Sequence, residues 1–260
     1  MMSPSPPGVA LAIARHTALE AWRNRLLWLL LLAAAGAVAL GAFLDQLALT
    51  ESRQLQAAVL AALLRLAAVF LIAAFVVTSM LREAADKGLE LLLALPVPRY
   101  VYLLGKLAGF AALAVLPAAL FGALALLLAP AAQALLWSAS LLCELWIVAA
   151  FSLLCAVSLR QALPALAAAG AFYLLARLIA LLQLLGQGPG ATRGPSQRLF
   201  NLLLDGIALL LPHLESFTRT EWLLYQTGSA AALVPIVAQT AIFVSLMAVA
   251  ALFDLYRKNL

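Results

Sequence analysis

The stretch "REAADKGLELLLALPVPRYVYLLGK", residues 82–106, carries seven charged side chains in a chain that has only 16 basic and 11 acidic residues. It separates two apolar runs, 59–81 and 107–129, and each run reaches the roughly 20 residues that a helix needs to cross a bilayer. The pattern predicts two membrane-spanning helices joined by a polar connection that lies outside the lipid.

The composition of the whole chain also indicates a membrane protein. The mean hydropathy is +1.08 and 66% of the 260 residues are hydrophobic, values beyond the range of soluble domains. The apolar runs are continuous in Leu and Ala, which are strong helix formers, and lack the alternation of barrel strands. We predict an all-α, polytopic membrane protein with a single transmembrane domain over residues 1–260. The six predicted spans are 26–44, 59–81, 107–129, 135–157, 162–185 and 235–253.

Basic residues are divided unequally between the two sides of this arrangement. Ten Lys and Arg residues fall on the side of both termini, and four fall on the other side. Because Lys and Arg collect in cytoplasmic loops, we predict that both termini and residues 82–106 face the cytoplasm. The same rule accounts for the net charge of +5, which we therefore do not attribute to nucleic-acid binding.

Two segments outside the spans are predicted to lie at the membrane surface. In residues 9–25, apolar and polar side chains occupy roughly opposite faces of a helix, as in interfacial helices, although Ile13 and Arg15 interrupt the pattern. A polar extension of the first span is the alternative. Residues 186–234 begin with Gly and Pro and continue with two short, partly apolar stretches, the first interrupted by Asp205. We predict two short helices in or on the outer leaflet.

The polar connection itself contains an amphipathic pattern. On a helix over residues 83–95, the charged side chains form one stripe and the leucines another, and Pro96 ends the helix. An exposed apolar stripe of this kind normally docks on lipid or on a partner protein. The short, Pro-terminated form favours a partner protein.

The polar connection contains the pattern Glu83-x-x-x-Lys87-Gly88-Leu89-Glu90-Leu91-Leu92, then Leu95-Pro96-Val97-Pro98-Arg99, then Leu103-Leu104-Gly105-Lys106. This pattern resembles the type-2 membrane subunits of ATP-binding-cassette transporters. The six-span layout, the N-terminal helix and the outer segment are similar to that family over most of the chain. "LLPHLESF", residues 210–217, also resembles a stretch in permeases of the nitrous-oxide-reductase maturation type.

This resemblance implies that residues 83–95 form a coupling helix, which fits a groove in a separate cytoplasmic ATPase subunit. It also implies an exporter in the bacterial cytoplasmic (inner) membrane, in which this chain pairs with a second copy or a homologous permease above two ATPase subunits. The residues implied to contact the ATPase are Glu83, Lys87, Leu89, Glu90, Leu92, Leu93, Pro96 and Arg99.

ATP and Mg²⁺ are expected to bind the partner subunit, because this chain has no phosphate-binding loop. Gly105 and Lys106 are followed by Leu107, where that loop has Ser or Thr, and the earlier Gly is missing. We therefore expect no enzymatic activity and no cofactor in this chain.

Three charged residues interrupt predicted spans. Arg65 lies near one end of the second span, from which its long side chain is predicted to reach the interface. Glu144 and Arg177 lie at similar depth in spans four and five, and a pair is tolerated in lipid where an isolated charge is costly. We predict that these two form an ion pair. The alternatives are that each faces a hydrated outer cavity, or that they meet the outer segment through Asp205 or His213.

Three other functions are compatible with a polytopic helical protein. A secondary transporter would show an inverted repeat, and no convincing repeat relates the two halves of the chain. An integral-membrane enzyme needs a polar or metal-binding cluster, whereas His16 and His213, the only histidines, are predicted on opposite sides of the membrane. A membrane anchor that passes ATPase work to an extracytoplasmic partner at 186–234, without moving a solute, remains open as the main alternative.

Overall fold

The computed structural model describes residues 6–23, 26–47, 52–85, 98–187 and 195–257, and every regular element in these ranges is helical. A single 3₁₀ turn, Leu214–Ser216, lies between the seventh and eighth α-helices. The α-helices are α1 (Pro6–Arg23), α2 (Leu26–Leu47), α3 (Ser52–Ala85), α4 (Arg99–Ala125), α5 (Ala131–Leu159), α6 (Ala162–Gln187), α7 (Pro195–Leu210), α8 (Thr220–Tyr225) and α9 (Ala230–Arg257).

Five of these helices are long and apolar enough to cross a membrane, as expected of a multi-pass membrane protein. They are α3, α4, α5, α6 and α9, and they correspond to the second to sixth predicted spans. The first predicted span, 26–44, coincides with the 22-residue helix α2. The apolar part of α2 that the structure describes, Trp28–Phe43, is shorter than a typical crossing, so the count of six stays a prediction.

Helix α5 forms the centre of the bundle and packs against α3, α4, α6 and α9. About 72% of its most apolar window is buried, against 22% for α9. Two side chains of α5 also bond to backbone carbonyls of α4: Ser138 donates to Ala118 at 2.7 Å, and Trp146 donates to Ala111 at 3.0 Å. In lipid, such close packing and interhelical hydrogen bonds hold helices together, because apolar burial alone gives little advantage over lipid tails.

Helix α1 lies against the first half of α4, where two glycines leave room for it. A Cβ at Gly109 would be 2.7 Å from the Cβ of Thr17, and a Cβ at Gly105 would be 3.0 Å from the carbonyl oxygen of Ala10. Ile13, which interrupts the two-faced sequence pattern, also contacts Gly105 and belongs to this packing face. Helix α1 therefore packs on α4 through a face that differs from the apolar and polar faces of the sequence pattern. Leu11 is among the exposed side chains of α1.

The bundle has two distinguishable ends. At the α1 end, the last turn of α9 meets the first turn of α4, where Arg99 donates to the carbonyl oxygen of Leu255 at 2.9 Å. At the opposite end, here named the α8 end, the side chain of Gln133 donates to the carbonyl oxygens of Gln226 and Gly228. The 3₁₀ turn and α8 lie at the α8 end.

The segment predicted to contain two short outer helices contains α7, the 3₁₀ turn and α8. Helix α7 packs on α6 through Leu204 and Ala208, which are buried with Ile179. Its opposite face exposes Leu209 and Leu210, at 85% and 75% of their surface. Helix α8 is only six residues long.

Candidate functional site

The structure describes two of the eight residues that are implied to contact an ATPase. Glu83 and Arg99 lie in α3 and α4, at the two ends of the polar connection. The six other residues, which lie outside the described ranges, are Lys87, Leu89, Glu90, Leu92, Leu93 and Pro96.

Glu83 lies in the last turn of α3, which continues to Ala85, so the helix predicted over 83–95 overlaps the end of this longer one. Its Oε2 is 2.5 Å from Nζ of Lys106 in α4, and the Lys106 side chain is only 3% exposed. An ammonium group buried to this degree is stabilised by a carboxylate partner, because an unpaired buried charge is costly. The pair fixes the spacing between α3 and α4 at the point where the polar connection leaves the bundle.

A second polar contact joins α1 to the same place. Ser79 of α3 donates a 2.9 Å hydrogen bond to the carboxylate of Glu20 in α1. The ring of Tyr102 is buried between these charges, in the second turn of α4. Glu20, Ser79, Glu83, Tyr102 and Lys106 form what we name the α1-end cluster, which connects α1, α3 and α4.

Arg99 is engaged within the chain. Besides its bond to Leu255, its guanidinium lies 5.7 Å from the ring centre of Tyr256. A cation at the last turn of α9 complements the partial negative charge of a helix C-terminus. The structure thus assigns Arg99 an internal contact, and its contact with an ATPase stays a prediction.

Removing the carboxylate of Glu83 is expected to destabilise the protein. Glu83→Ala leaves the buried Lys106 ammonium without its partner, and we expect the free energy of unfolding to fall by about 1–3 kcal/mol. The measurement is denaturant unfolding in detergent. Arg82→Ala, at the exposed neighbouring position, is the matched control and should be within about 0.5 kcal/mol of wild type. Equal effects of the two changes would contradict a structural role for the pair.

The predicted partners Glu144 and Arg177 lie next to each other near the α8 end. Nη1 of Arg177 is 3.7 Å from Oε1 of Glu144, the carboxylate is fully buried, and the Arg177 side chain is 18% exposed. Counting depth along two sequential helices therefore predicted the proximity of two residues that are close in space.

Thr218 supplies the contact that completes this arrangement. Its hydroxyl donates a 2.6 Å hydrogen bond to Oε2 of Glu144, and its backbone N–H donates to the hydroxyl of Ser140 at 2.9 Å. The residue has a φ of 43°, which is rare for a side chain with a branched β-carbon. The surrounding bonds hold Thr218 in this left-handed conformation.

Two arginines hold the backbone of the same segment. Arg177 donates to the carbonyl oxygens of Leu214 and Phe217, the second at 3.0 Å, and Arg65 donates to that of Thr218 at 3.3 Å. These carbonyls lie in the 3₁₀ turn and just after it, where regular helix bonds are absent. We name Arg65, Ser140, Glu144, Arg177 and Thr218 the α8-end cluster.

This arrangement gives Arg65 a partner within the protein and separates the alternatives for the pair. Arg65 donates a hydrogen bond to a backbone carbonyl 153 residues later, and its position relative to the membrane interface stays a prediction. The outer segment does meet the pair, but through Thr218. Asp205 instead accepts from Gln183 at 2.9 Å, and the ring of His213 lies 3.4 Å from the amide of Gln239.

A cleft of about 470 Å³ opens beside this cluster at the α8 end. The residues that line it are Arg177, Glu215, Arg219, Thr220 and Glu221. Among the described residues, no group of three or more His, Cys, Asp or Glu side chains could hold a metal ion. The cleft is lined by side chains of both signs of charge.

No protein-family model matches the chain, and no curated protein matches its sequence.

Proposed function

We propose that this chain is the permease subunit of an ATP-binding-cassette exporter. The observation that carries the proposal is the sequence pattern of residues 82–106, which resembles the coupling region of that family. In the proposal, the α1 end faces the cytoplasm of a bacterial cell, α2 is the first of six membrane spans, and α1 lies in the cytoplasmic interface. The positive side chains that collect at this end support the orientation.

The α1-end cluster supports a mechanical role for the polar connection. Glu83 and Lys106 tie together the helices at its two ends, and Glu20 ties α1 to the first of them. A force applied to residues 86–97 by an ATPase would therefore act on α1, α3 and α4 together. ATP binding would favour one arrangement of the membrane helices by stabilising one position of this region.

The partner subunits supply the chemistry in this proposal. Two ATPase subunits bind ATP and Mg²⁺, and a second copy of this chain or a homologous permease completes the membrane pathway. The arrangement follows from the resemblance, and the spans themselves specify no substrate.

The test is recovery of the complex after changes in the coupling region. The chain is purified from its native membrane through an affinity tag, and the ATPase subunit is identified by mass spectrometry through its phosphate-binding loop. We expect Glu90→Arg combined with Leu92→Asp to reduce ATPase recovery by at least about tenfold, because it reverses a charge and inserts another into the apolar stripe.

Arg257→Glu, a charge reversal at an exposed position of the α1 end, is the control and should retain the ATPase. Thermal unfolding checks that the membrane subunit is folded in each variant. Recovery of the ATPase with the double variant, or its absence from wild type, would contradict the proposal.

A second candidate function is supported by the α8-end cluster. Arg65, Glu144 and Arg177 belong to three different bundle helices and all bind the segment around Thr218, so movement of these helices reaches the outer segment. A membrane anchor that passes ATPase work to an extracytoplasmic partner would use such a connection. Reconstituted complex in liposomes distinguishes the two functions, because only the exporter moves a solute when ATP is hydrolysed.

A further inference from the structure

The α8-end cleft carries equal numbers of positive and negative side chains. Arg177 and Arg219 supply two guanidinium groups, and Glu215 and Glu221 supply two carboxylates. The volume of about 470 Å³ lies within the range of roughly 300–1,000 Å³ that is usual for small-molecule sites. The cleft therefore has the volume of a small-molecule site, and it is open to the surface with a charged lining.

Of these four charged side chains, Arg177 is in a salt bridge with Glu144, and the three others are in none among the described residues. The protein contacts of the Arg177 guanidinium in those ranges all come from Nη1, so Nε and Nη2 have no acceptor there. Because the backbone of the 3₁₀ turn holds Nη1, the guanidinium is fixed in position before any ligand arrives.

The mixture of charges selects the kind of ligand. A purely anionic group on the arginines would be repelled by the two carboxylates, and a purely cationic group would be repelled by the arginines. A zwitterion satisfies both sets. Guanidinium groups bind phosphate through paired N–H donors, and carboxylates bind ammonium groups.

We propose that the cleft binds the head group of a zwitterionic phospholipid of the phosphatidylethanolamine type. The phosphate lies on Arg177 and Arg219, and the ammonium group lies on Glu215 and Glu221. The site requires only that α6 crosses a bilayer, so this proposal is independent of ATPase coupling and goes beyond the proposed function.

The surface around Arg177 favours a lipid over a soluble zwitterion. Leu174 lies one turn before Arg177 on α6, on the side away from the α8 end, and is 53% exposed. A lipid whose head group occupies the cleft can place an acyl chain along this leucine. A soluble head group makes no such contact.

The test is competition between two lipids that differ in head-group charge. The full-length chain in detergent is incubated with equal amounts of dioleoyl-phosphatidylethanolamine and dioleoyl-phosphatidylglycerol, and retained lipid is counted by native mass spectrometry. We expect wild type to retain about fivefold more of the ethanolamine lipid. Arg219→Gln with Glu221→Gln should bring the ratio close to one, and Arg257→Gln should leave it unchanged.

A charge-reversed variant tests the role of the two carboxylates, and a soluble competitor tests whether the acyl chains contribute to binding. Glu215→Arg with Glu221→Arg leaves a cationic cleft and should reverse the preference toward the glycerol lipid. Arg219, Glu215 and Glu221 are exposed, and thermal unfolding verifies that each variant is folded. Equal retention of both lipids by wild type would overturn the proposal, as would an unchanged preference in the glutamine variant. Displacement of the lipid by an equal concentration of glycerophosphoethanolamine would overturn the lipid assignment.

Discussion

Arg177→Met is expected to lower the free energy of unfolding by about 3–5 kcal/mol, because it leaves the Glu144 carboxylate buried without its cation. The same change removes the donors to the carbonyl oxygens of Leu214 and Phe217. The first loss occurs in α5, a helix that is predicted to lie at membrane depth, where an unpaired charge is costly. Denaturant unfolding in detergent measures the effect. Arg219→Met, the same substitution at an exposed arginine, is the matched control and should change stability by less than about 0.5 kcal/mol.

A double-mutant cycle measures the interaction between Glu144 and Arg177 apart from their other contacts. Glu144→Gln removes the charge but keeps an acceptor for the Thr218 hydroxyl, so we expect a smaller loss than for Arg177→Met. The double variant should be more stable than the sum of the two losses predicts, by roughly 0.5–3 kcal/mol, because it no longer contains an unpaired buried charge. Strictly additive losses would show that the two side chains act independently.

Gly109→Leu is expected to separate α1 from α4. A Cβ at this position would already be 2.7 Å from the Cβ of Thr17 and 3.1 Å from the carbonyl oxygen of Ala14, and a backbone atom cannot move aside without moving the helix. We expect a loss of about 3 kcal/mol, at the upper end of the range for overpacked sites, together with faster hydrogen exchange over residues 6–23. Thermal unfolding and hydrogen-exchange mass spectrometry provide the two measurements.

Gly170→Leu is the control for the glycine substitution. Gly170 lies inside α6, and a Cβ there has no neighbouring atom within 4 Å. Replacing a helical glycine at an open position should be neutral or slightly stabilising. If the two leucine variants exchange at the same rate over α1, the glycines do not position that helix.

The helical framework and the buried pair could be predicted from the sequence for simple geometric reasons. Long Leu and Ala runs can only satisfy their backbone groups in lipid as helices. Residues in a helix rise by a fixed amount, so counting from the ends of two sequential spans placed Glu144 and Arg177 at the same level. Both inferences use distances along one or two neighbouring helices.

The rest of the α8-end cluster depends on contacts that sequence spacing does not encode. Thr218 adopts a positive φ where Ser140, Glu144 and Arg65 bind it, and no glycine marks the position. Arg65 was judged by its place along its own span, whereas its acceptor lies 153 residues later. The presence of Arg65, a third charged residue within an apolar run, could have indicated a network shared with Glu144 and Arg177. Nothing in the sequence identified Thr218 as its acceptor.

The docking of α1 shows a different limit. The spacing of Gly105 and Gly109 is a known signal of close helix packing, and it was visible in the sequence. The sequence did not indicate that α1 is the helix that packs against these glycines, because Ala10, Ile13 and Thr17 do not form the most apolar face of α1.

The continuous length of α3 has a consequence for the membrane around the protein. At 34 residues the helix is about 50 Å long, which exceeds the roughly 30 Å thickness of a hydrocarbon layer. Arg65 and Glu83, its two internally anchored charges, are 18 residues and therefore about 27 Å apart. With α3 across a bilayer and these residues at its two surfaces, this distance would set a preferred hydrophobic thickness, so that thicker membranes would compress around the protein and thinner ones would make α3 tilt.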